Sequence, residues 1–479
     1  MRRRGSRRAP RTAAGALAVS LLAAAAATTP AEPEAVAQGG GGARPNVVVV
    51  MTDDQDRRSL GVMNAVRDKL IARGTKFKNF FATYPLCCPS RATYLTGQYA
   101  HNHGVEFERG IGTAGFNEFD DTRALPVALE GAGYRTGYVG KYLNGYGNGE
   151  DNTYIPPGWS DWKASVNSSA TQMYDYTLNE NGELRHFGTR RGDYQTDVYA
   201  REAEGFIRES TARRRPFFLT IAPSAPHVEG GRLASPNPRP APRHEGTFSD
   251  RPLPKPRSFN EDDVSDKPSF VRDQPLIGSK AEASLRARYR DRLASLQAVD
   301  DLFARVLNTL RDTDDLANTY VIFTSDNGYL LGEHRLTKKV WLYEESAGVP
   351  LVLRGPGIPA GAVRSQITGN IDLAPTILDV TGVEPLDTVD GLSLVPFAKS
   401  ANHRADRAIL LENLDSAAVR TPSHMYAEHT TGAGAEEELY DMDADPLQLD
   451  SLHERDLAVE AELAERLREL ERCRGRSCR

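Results

Sequence analysis

Acidic side chains follow two buried strands of the predicted sheet, at points where a cation could bind. Asp53 and Asp54 come directly after the apolar run Asn46–Thr52, and Asp326 and Asn327 follow a second run of this kind. Taken singly, the first pair could cap a helix and the second could form a turn. Three carboxylates and an amide oxygen are, however, hard ligands that suit Ca²⁺ or Mg²⁺ rather than zinc. Because ligands bind at the carboxyl ends of strands in open α/β sheets, we interpret the four residues together as a metal site.

A candidate nucleophile, Cys87, precedes a short predicted helix. Pro89 fixes its own backbone and biases Cys88 towards an extended conformation, so that Ser90 is expected to be the N-cap of the helix. A group at a helix N-terminus meets aligned N–H groups and positive potential, which suits an anionic ester. Arg91 adds a fixed positive fork nearby. The alternative for two adjacent cysteines is a buried structural pair in an ordinary turn.

Positive or proton-transferring side chains follow at other predicted strand ends. Lys141 comes after the strand predicted over 136–139, His227 follows the strand predicted over 217–222, and Lys339 lies further along the chain. In isolation, each lysine is more often a solvated charge and the histidine a loop residue. Their recurrence at strand ends favours a local positive pocket.

The segment that begins at Cys87 resembles the signature of the type I sulfatases. It reads C-x-P-S-R-x-x-x-L-T-G, and every fixed position matches. In that family a formylglycine-generating enzyme oxidises the first cysteine to formylglycine (3-oxoalanine), whose hydrated aldehyde attacks sulfur and forms a covalent sulfo-enzyme. The resemblance implies this modification at Cys87 and leaves Cys88 at a free position. It also implies one divalent cation, generally Ca²⁺ and alternatively Mg²⁺, held by Asp53, Asp54, the modified Cys87, Asp326 and Asn327.

The same resemblance implies roles for the positive side chains. Lys141 matches the lysine of a Gly-Lys motif that contacts sulfate, Lys339 matches a second lysine, and His227 matches a family histidine. Arg91 belongs to the signature itself. Many sulfatases carry a histidine two residues after the first lysine, and this chain has Leu143 there. His227 or Lys339 is therefore the candidate general acid for the leaving group.

Further motifs are similar to the branch that contains N-acetylglucosamine-6-sulfatases and extracellular heparan sulfatases. They are His101-Asn102-His103, Lys141-Tyr142-Leu143-Asn144 and Ile155-Pro156-Pro157-Gly158-Trp159. The branch implies a sulfated small molecule or glycan end as substrate, either 6-O-sulfated N-acetylglucosamine or glucosamine, or an aryl sulfate. We expect His101, His103, Trp159 and the proline-rich loop 229–269 at the rim of the site.

Two other functions stay open on the sequence. One is a phosphate or phosphonate monoester hydrolase of the same superfamily, because some relatives there also use formylglycine. The other is a glycan-binding protein without activity, although the complete set of motif residues argues against it.

The N-terminus is typical of a secretory signal peptide over residues 1–37. Six arginines precede an alanine-rich apolar run that is too short to span a bilayer, and a flexible leader is predicted over 38–44. Removal of residues 1–37 changes the formal charge from −6 to −10, which argues against nucleic acid as a partner. We therefore expect a secreted protein with no membrane association after cleavage. In an exported chain, Cys473 and Cys478 are expected to form a local disulfide.

Apolar strand-like runs alternate with amphipathic helical patterns, of which the longest covers 283–311. This alternation predicts an α/β fold with a mostly parallel sheet between helices. The predicted strands are 46–52, 136–139, 217–222, 320–324 and 351–353. The sulfatase resemblance implies an alkaline-phosphatase-like sandwich, with a catalytic domain over 45–400. It also implies a small C-terminal α+β subdomain over 401–479 that ends in a helix.

Overall fold

A ten-stranded sheet organises the computed structural model of the chain. The structure describes residues 44–106, 115–148, 152–230, 235–431 and 434–479. The predicted signal peptide, residues 1–37, and the predicted leader up to residue 43 lie outside these ranges. The strands are β1 (Asn46–Thr52), β2 (Thr75–Phe77), β3 (Phe80–Phe81), β4 (Arg135–Lys141), β5 (Asp161–Ser165), β6 (Tyr176–Glu180), β7 (Glu183–Phe187), β8 (Phe217–Ala222), β9 (Thr319–Ser325), β10 (Leu330–Leu331), β11 (Thr337–Lys338), β12 (Leu351–Arg354), β13 (Ala362–Arg364), β14 (Thr368–Gly369), β15 (Ile409–Glu412), β16 (Ser416–Arg420), β17 (His424–Thr431) and β18 (Gly434–Asp441).

Helices connect the strands and cover the sheet. The α-helices are α1 (Asn64–Lys69), α2 (Cys87–Thr96), α3 (Ala100–His103), α4 (Leu125–Gly131), α5 (Gln195–Ala212), α6 (Ser269–Arg272), α7 (Ser279–Asp312), α8 (Glu344–Ala347), α9 (Leu373–Thr381), α10 (Val395–Lys399) and α11 (Leu457–Glu471). The predicted long helix is confirmed as α7, which begins four residues before the predicted start and ends one residue after the predicted end. Its side chains Leu296, Val299 and Phe303 pack into one buried cluster against the sheet, as the helical pattern predicted.

The strand order of the large sheet is β13-β2-β12-β9-β1-β8-β4-β5-β6-β7. Each neighbouring pair from β9 to β5 is parallel, so the predicted parallel strands β1, β4, β8 and β9 are confirmed. The predicted strand 351–353 is present as β12, but it runs antiparallel to β9. The apolar pattern of 351–353 predicts a buried strand but does not predict the direction of that strand. The direction depends on the connection through 326–350.

Strand β1 shows why the central strands are apolar throughout. Val47 and Val49 pack into one buried cluster, whereas Val48 and Val50 pack into a second cluster that also includes α7 side chains. The sheet therefore buries both of its faces, and each residue of the strand needs an apolar side chain.

A separate four-stranded antiparallel sheet, β15-β16-β17-β18, lies in the C-terminal part of the chain. The predicted terminal helix is present as α11, which contributes the buried side chains Leu463, Leu467 and Leu470. The predicted disulfide between Cys473 and Cys478 is present. The predicted domain boundary near residue 400 stays a prediction. Within the described ranges, the structure contains no helix that is both long and apolar enough to cross a membrane.

Candidate active site

Strand ends of the parallel region bring the predicted site residues together. Asp53 follows β1, Asp326 follows the neighbouring β9, and Lys141 is the last residue of β4. His227 comes a few residues after β8, the strand between β1 and β4. Since these strands are parallel, their carboxyl ends lie at one edge of the sheet, and the four side chains meet there.

The acidic residues form a hydrogen-bonded cluster. The Asp54 backbone N–H donates to Asp326 Oδ1 over 3.1 Å, and Asn327 Nδ2 donates to Asp54 Oδ1 over 2.7 Å. Asp53, Asp54, Asp326 and Asn327 are all buried. Asp54 has a left-handed backbone, with φ of 67°, and its carbonyl accepts a hydrogen bond from the Arg292 guanidinium. This backbone conformation turns two consecutive carboxylates into the same site.

Helix α2 begins at Cys87 itself, with Leu86 as its extended N-cap residue. The expectations that Cys88 is extended and that Ser90 caps the helix are wrong. Pro89 lies in the first turn, where its missing N–H would have no helical partner, so the helix tolerates it. The Ser90 N–H bonds the Leu86 carbonyl over 3.0 Å, while its hydroxyl donates to the Asp326 carbonyl. Cys87 therefore lies at the first helical residue, closer to the helix N-terminus than the sequence indicated.

The Cys87 thiol contacts both charge types in the site. Its Sγ lies 2.7 Å from Lys339 Nζ and 3.6 Å from Asp53 Oδ1. Potential ligand atoms of Cys87, Asp53, Asp54 and His227 all lie within 4.8 Å of one another. Burial, with a contribution from the Asp53 carboxylate, raises the pKa of the Cys87 thiol to about 11. The unmodified thiol is therefore protonated at neutral pH.

Three cations balance the three carboxylates. Arg91 Nε lies 2.8 Å from Asp326 Oδ2, and its NH2 group lies 3.6 Å from Asp53 Oδ2. Lys141 Nζ pairs with Asp53, and Lys339 Nζ donates to Asp54 Oδ1 over 2.5 Å. The positive charges of these three side chains therefore equal in number the negative charges of the three ionised carboxylates.

These ion pairs decide the charge states in the cluster. Burial alone would raise the pKa values of Asp53 and Asp54, but the nearby lysines and His227 lower both below the usual range. The pKa of Asp326 is raised by burial and by Asp53, although Arg91 opposes the change. Burial opposes the charge of Lys339, yet Asp54 and its neighbours raise the pKa of this lysine well above its usual value. The lysines therefore stay protonated at neutral pH.

The donor set fits a hard divalent cation. Carboxylates of Asp53, Asp54 and Asp326 converge with the side chain of Asn327. The Asn327 Oδ1 atom is buried and has no hydrogen-bond partner among the described residues. A buried amide oxygen without a partner is costly, and a metal ion would satisfy it. The predicted ligands therefore form a site that could bind a divalent metal.

His227 presents one ring nitrogen to the site. Its Nδ1 donates to the Val228 carbonyl over 2.6 Å, and its Nε2 lies 3.7 Å from Asp54 Oδ2. Burial lowers the pKa of His227, and the carboxylates of Asp53 and Asp54 oppose that change. The hydrogen bond at Nδ1 fixes the ring orientation, which leaves Nε2 for chemistry.

Gly140 allows Lys141 to reach this position. Its φ is 123°, and a Cβ atom there would lie 2.2 Å from the Ala222 carbonyl oxygen of the neighbouring strand. A side chain at this residue would push β4 away from β8. The Gly-Lys pair therefore has a steric reason as well as a chemical one.

Trp159 is not at the rim, where the sequence analysis placed it, and the rim positions of His101, His103 and the loop 229–269 stay predictions. Trp159 is only 7% exposed and stacks on Phe218 in the core, with ring centroids 5.7 Å apart. His101 Nδ1 lies 3.0 Å from Glu412 Oε2, which ties it to the C-terminal sheet. The His103 Nε2 atom lies 3.0 Å from the Thr93 hydroxyl. Trp159 is buried because its ring packs within a cluster of aromatic side chains that includes Tyr138 and Trp162.

The structure adds supporting residues that the sequence analysis missed. Arg292 of α7 is buried, bonds the Asp54 carbonyl, and lies over the Tyr329 ring. The Tyr138 hydroxyl donates to the Lys141 carbonyl over 2.5 Å, and Asn370 Nδ2 donates to the Ser90 hydroxyl over 2.9 Å. A signal existed for Arg292 alone, since a charged residue occupies an apolar-face position of the helical pattern.

Comparisons with known proteins agree with this geometry. Residues 45–383 match the family model described as Sulfatase, and residues 332–473 match the model described as N-sulphoglucosamine sulphohydrolase, C-terminal. The Extracellular sulfatase SULF-1 homolog of Drosophila melanogaster is 36% identical over 73% of this chain, and N-acetylglucosamine-6-sulfatase of Homo sapiens is 34% identical over 75% of it. The chain spans 31% and 65% of the lengths of these two relatives.

A solved structure extends the comparison to the fold. BT4656, in complex with its substrate D-glucosamine-2-N,6-O-disulfate, aligns with a TM-score of 0.75 and 27% identity, over 89% of this chain and 97% of that one. The fold is that of the alkaline-phosphatase-like sulfatases, with a large mixed sheet and a small separate antiparallel sheet. The family match covers more than half of the sequence, and the chain therefore belongs to the sulfatase family.

Proposed function

We propose that this chain hydrolyses sulfate monoesters at the Cys87 site. The observation that carries the proposal is the position of Cys87 at the first residue of α2, in contact with Lys339 and with the carboxylate cluster. An anionic ester placed there meets the helix N-terminus and three cations, the buried Arg91 and Lys141 and the partly exposed Lys339. A glycan-binding protein without activity would have no need for such a buried, charged cluster.

Conversion of Cys87 to formylglycine explains how this residue becomes reactive. With a pKa near 11, the buried thiol is neutral at pH 7 and a poor nucleophile. The hydrated aldehyde would instead supply an oxygen that attacks sulfur, and its second hydroxyl would later release sulfate. The proposal therefore includes maturation by a formylglycine-generating enzyme before or during export.

A calcium ion is the cofactor that we propose, held by Asp53, Asp54, the modified Cys87, Asp326 and Asn327. When bound, it would polarise the sulfate ester and lower the pKa of the aldehyde hydrate. The free Asn327 Oδ1 and the hard carboxylates support this assignment over zinc.

The remaining side chains bind the ester and move protons. Lys339 contacts Cys87, and Arg91 and Lys141 pair with the neighbouring carboxylates, so these three cations would orient the sulfate oxygens. His227 Nε2, close to Asp54, is placed to give its proton to the leaving alcohol when the S–O bond breaks, with Lys339 as the alternative donor. This role needs the imidazolium form, because Nδ1 already carries the proton that bonds the Val228 carbonyl. Burial lowers the pKa of His227 and opposes this form, whereas the carboxylates of Asp53 and Asp54 favour it.

The substrate class that we propose is a 6-O-sulfated N-acetylglucosamine or glucosamine, with aryl sulfates as simpler substrates. The named activities of the human relative and of BT4656 support a sulfated hexosamine. We propose that residues 1–37 direct secretion, which the extracellular Drosophila relative supports.

The test combines the mass of the Cys87 peptide with activity. Protein made with a formylglycine-generating enzyme should carry an aldehyde at Cys87 and cleave N-acetylglucosamine-6-sulfate and an aryl sulfate faster than an aryl phosphate. Cys87→Ala should abolish turnover, whereas the control Cys88→Ala should keep most of it. An unmodified thiol in fully active enzyme would overturn the mechanism, and a dominant rate on the phosphate would assign the chain to phosphate ester hydrolysis instead.

A further inference from the structure

A cavity of about 830 Å³ lies beside the Cys87 site, and we call it the aromatic cleft. Its walls include Leu86, Phe270, Val340 and Trp341, with side chains from the β15–β16 connection on the far side. A cavity of this size is large enough for a sugar ring, and mixed apolar and polar linings are typical of small-molecule sites.

Two residues that line the aromatic cleft are sequence neighbours of catalytic groups. Leu86 immediately precedes Cys87, and Val340 immediately follows Lys339. The Val340 N–H donates to the Pro85 carbonyl over 3.0 Å, so the two segments form one wall. This adjacency makes the aromatic cleft the candidate place for the remaining atoms of a molecule whose sulfate group reaches Cys87.

Val340 has an unusual backbone conformation between Lys339, at the catalytic site, and Trp341, in the cleft. Its φ is 89°, which is a genuine outlier for a β-branched residue. Asn413 Nδ2 donates to the Val340 carbonyl over 2.9 Å and helps to hold this conformation. Backbone strain of this kind persists where the surrounding structure enforces it. As a result Lys339 turns into the catalytic site, and the next side chain, Trp341, lines the cleft.

Trp341 and Phe270 stack face to face in the lining of the aromatic cleft. Their ring centroids are 4.8 Å apart and their planes differ by 5°, and both rings are partly exposed. Phe270 also packs edge-on against the His429 ring at 5.1 Å. Because each ring covers one face of the other, the stack presents an outer ring face to the C–H face of a sugar.

The charges that line the aromatic cleft are acidic. Asp273 and Asp415 belong to its lining, and no lysine or arginine does within the described part of the chain. The cations Arg91, Lys141 and Lys339 lie instead around Cys87. A single sulfate is therefore attracted to the catalytic end, while a second anion on the same sugar meets like charge.

We propose that the aromatic cleft binds the sugar ring of the sulfate ester on Trp341 and Phe270, and that Asp273 and Asp415 make it select hexosamines whose other substituents are neutral or cationic. This inference rests on the proposed function and restricts its substrates to a smaller class of sulfated hexosamines. N-acetylglucosamine-6-sulfate and glucosamine-6-sulfate are preferred to glucosamine-2-N,6-O-disulfate, although BT4656 was solved with that disulfate.

Binding is measured by calorimetry on a Cys87→Ala background, so that the test does not depend on turnover. We expect the disulfate to bind at least tenfold more weakly than glucosamine-6-sulfate. Asp273→Asn combined with Asp415→Asn should reduce this ratio to about threefold or less. The matched control Asp68→Asn, at an exposed carboxylate elsewhere, should leave the ratio unchanged.

The aromatic platform is tested separately in the active protein. Trp341→Ala should raise KM for N-acetylglucosamine-6-sulfate at least tenfold with a smaller change in kcat, and Trp341→Phe should restore most of the loss. Tighter binding of the disulfate than of glucosamine-6-sulfate, or an unchanged KM in Trp341→Ala, would overturn the inference. If the protein still cleaves an aryl sulfate in that case, the proposed function is not affected. Conversely, the expected binding ratios in a protein that cleaves no sulfate ester would support the cleft and refute only the proposed function.

Discussion

Arg91 gives a quantitative test of the charge balance in the site. Its guanidinium lies 2.8 Å from Asp326 Oδ2, and the two side chains are 2% and 0% exposed. Arg91→Met keeps an unbranched apolar stem in helix α2 but removes the charge. Three buried carboxylates would then face only Lys141 and Lys339, so the metal-free protein would hold one uncompensated negative charge.

The magnitude follows from burial. Surface ion pairs contribute only about 0–1 kcal/mol, whereas removal of one partner from a buried pair costs about 3–5 kcal/mol. We therefore expect Arg91→Met to lower the free energy of unfolding by about 3–5 kcal/mol in a calcium chelator. A divalent cation should bind the more negative site more tightly. If the affinity for calcium rises tenfold, saturating calcium increases the free energy of unfolding of the variant by about 1.4 kcal/mol more than that of the wild type.

The assay is urea unfolding in chelator and in calcium, with Arg135→Met as the matched control. Arg135 is also a buried arginine of an ion pair, 3.0 Å from Asp161, but it lies at the opposite end of β4 from Lys141. Its variant should lose stability equally in both buffers. Equal calcium responses of the two variants, or no loss for Arg91→Met in chelator, would refute the assignment of Arg91 to the cation site.

Three further predictions concern backbone, pH and the disulfide. Gly140→Ala should lower the thermal unfolding midpoint and the activity together, because its Cβ would lie 2.2 Å from a carbonyl oxygen, whereas Gly131→Ala, with open space around it, should do neither. The pKa of Glu344 is lowered, since its two arginine partners outweigh burial, so its stabilising effect is full above about pH 4.5 and declines as the pH falls below that value. The stability difference between wild type and Glu344→Gln, measured by urea unfolding across pH, should shrink in that direction and stay constant at neutral pH. Replacing Cys473 and Cys478 by serine opens a short loop and should cost about 2 kcal/mol of unfolding free energy, with kcat on an aryl sulfate nearly unchanged.

Local pattern was sufficient to predict the central strands and the proximity of the candidate site residues at their ends. The apolar run Asn46–Thr52 is confirmed residue for residue as β1, because a strand buried on both faces needs apolar side chains throughout. Placement of Asp53 and Asp326 after such strands, together with the signature at Cys87, was sufficient to predict that these residues come together. The rule that parallel strands end at one edge converts positions along the chain into proximity in space.

Contacts between distant segments decided what the sequence left open or gave wrongly. The start of α2 at Cys87, rather than after Pro89, depends on bonds from Ser90 to the Asp326 carbonyl and from Asn370 to Ser90. Trp159 was predicted at the rim and is buried, whereas Trp341 lines the cleft. Whether an aromatic side chain is buried or exposed depends on which distant segments pack beside it. Side-chain spacing along the chain describes one element at a time, and a cleft formed by several segments exists only after they have packed.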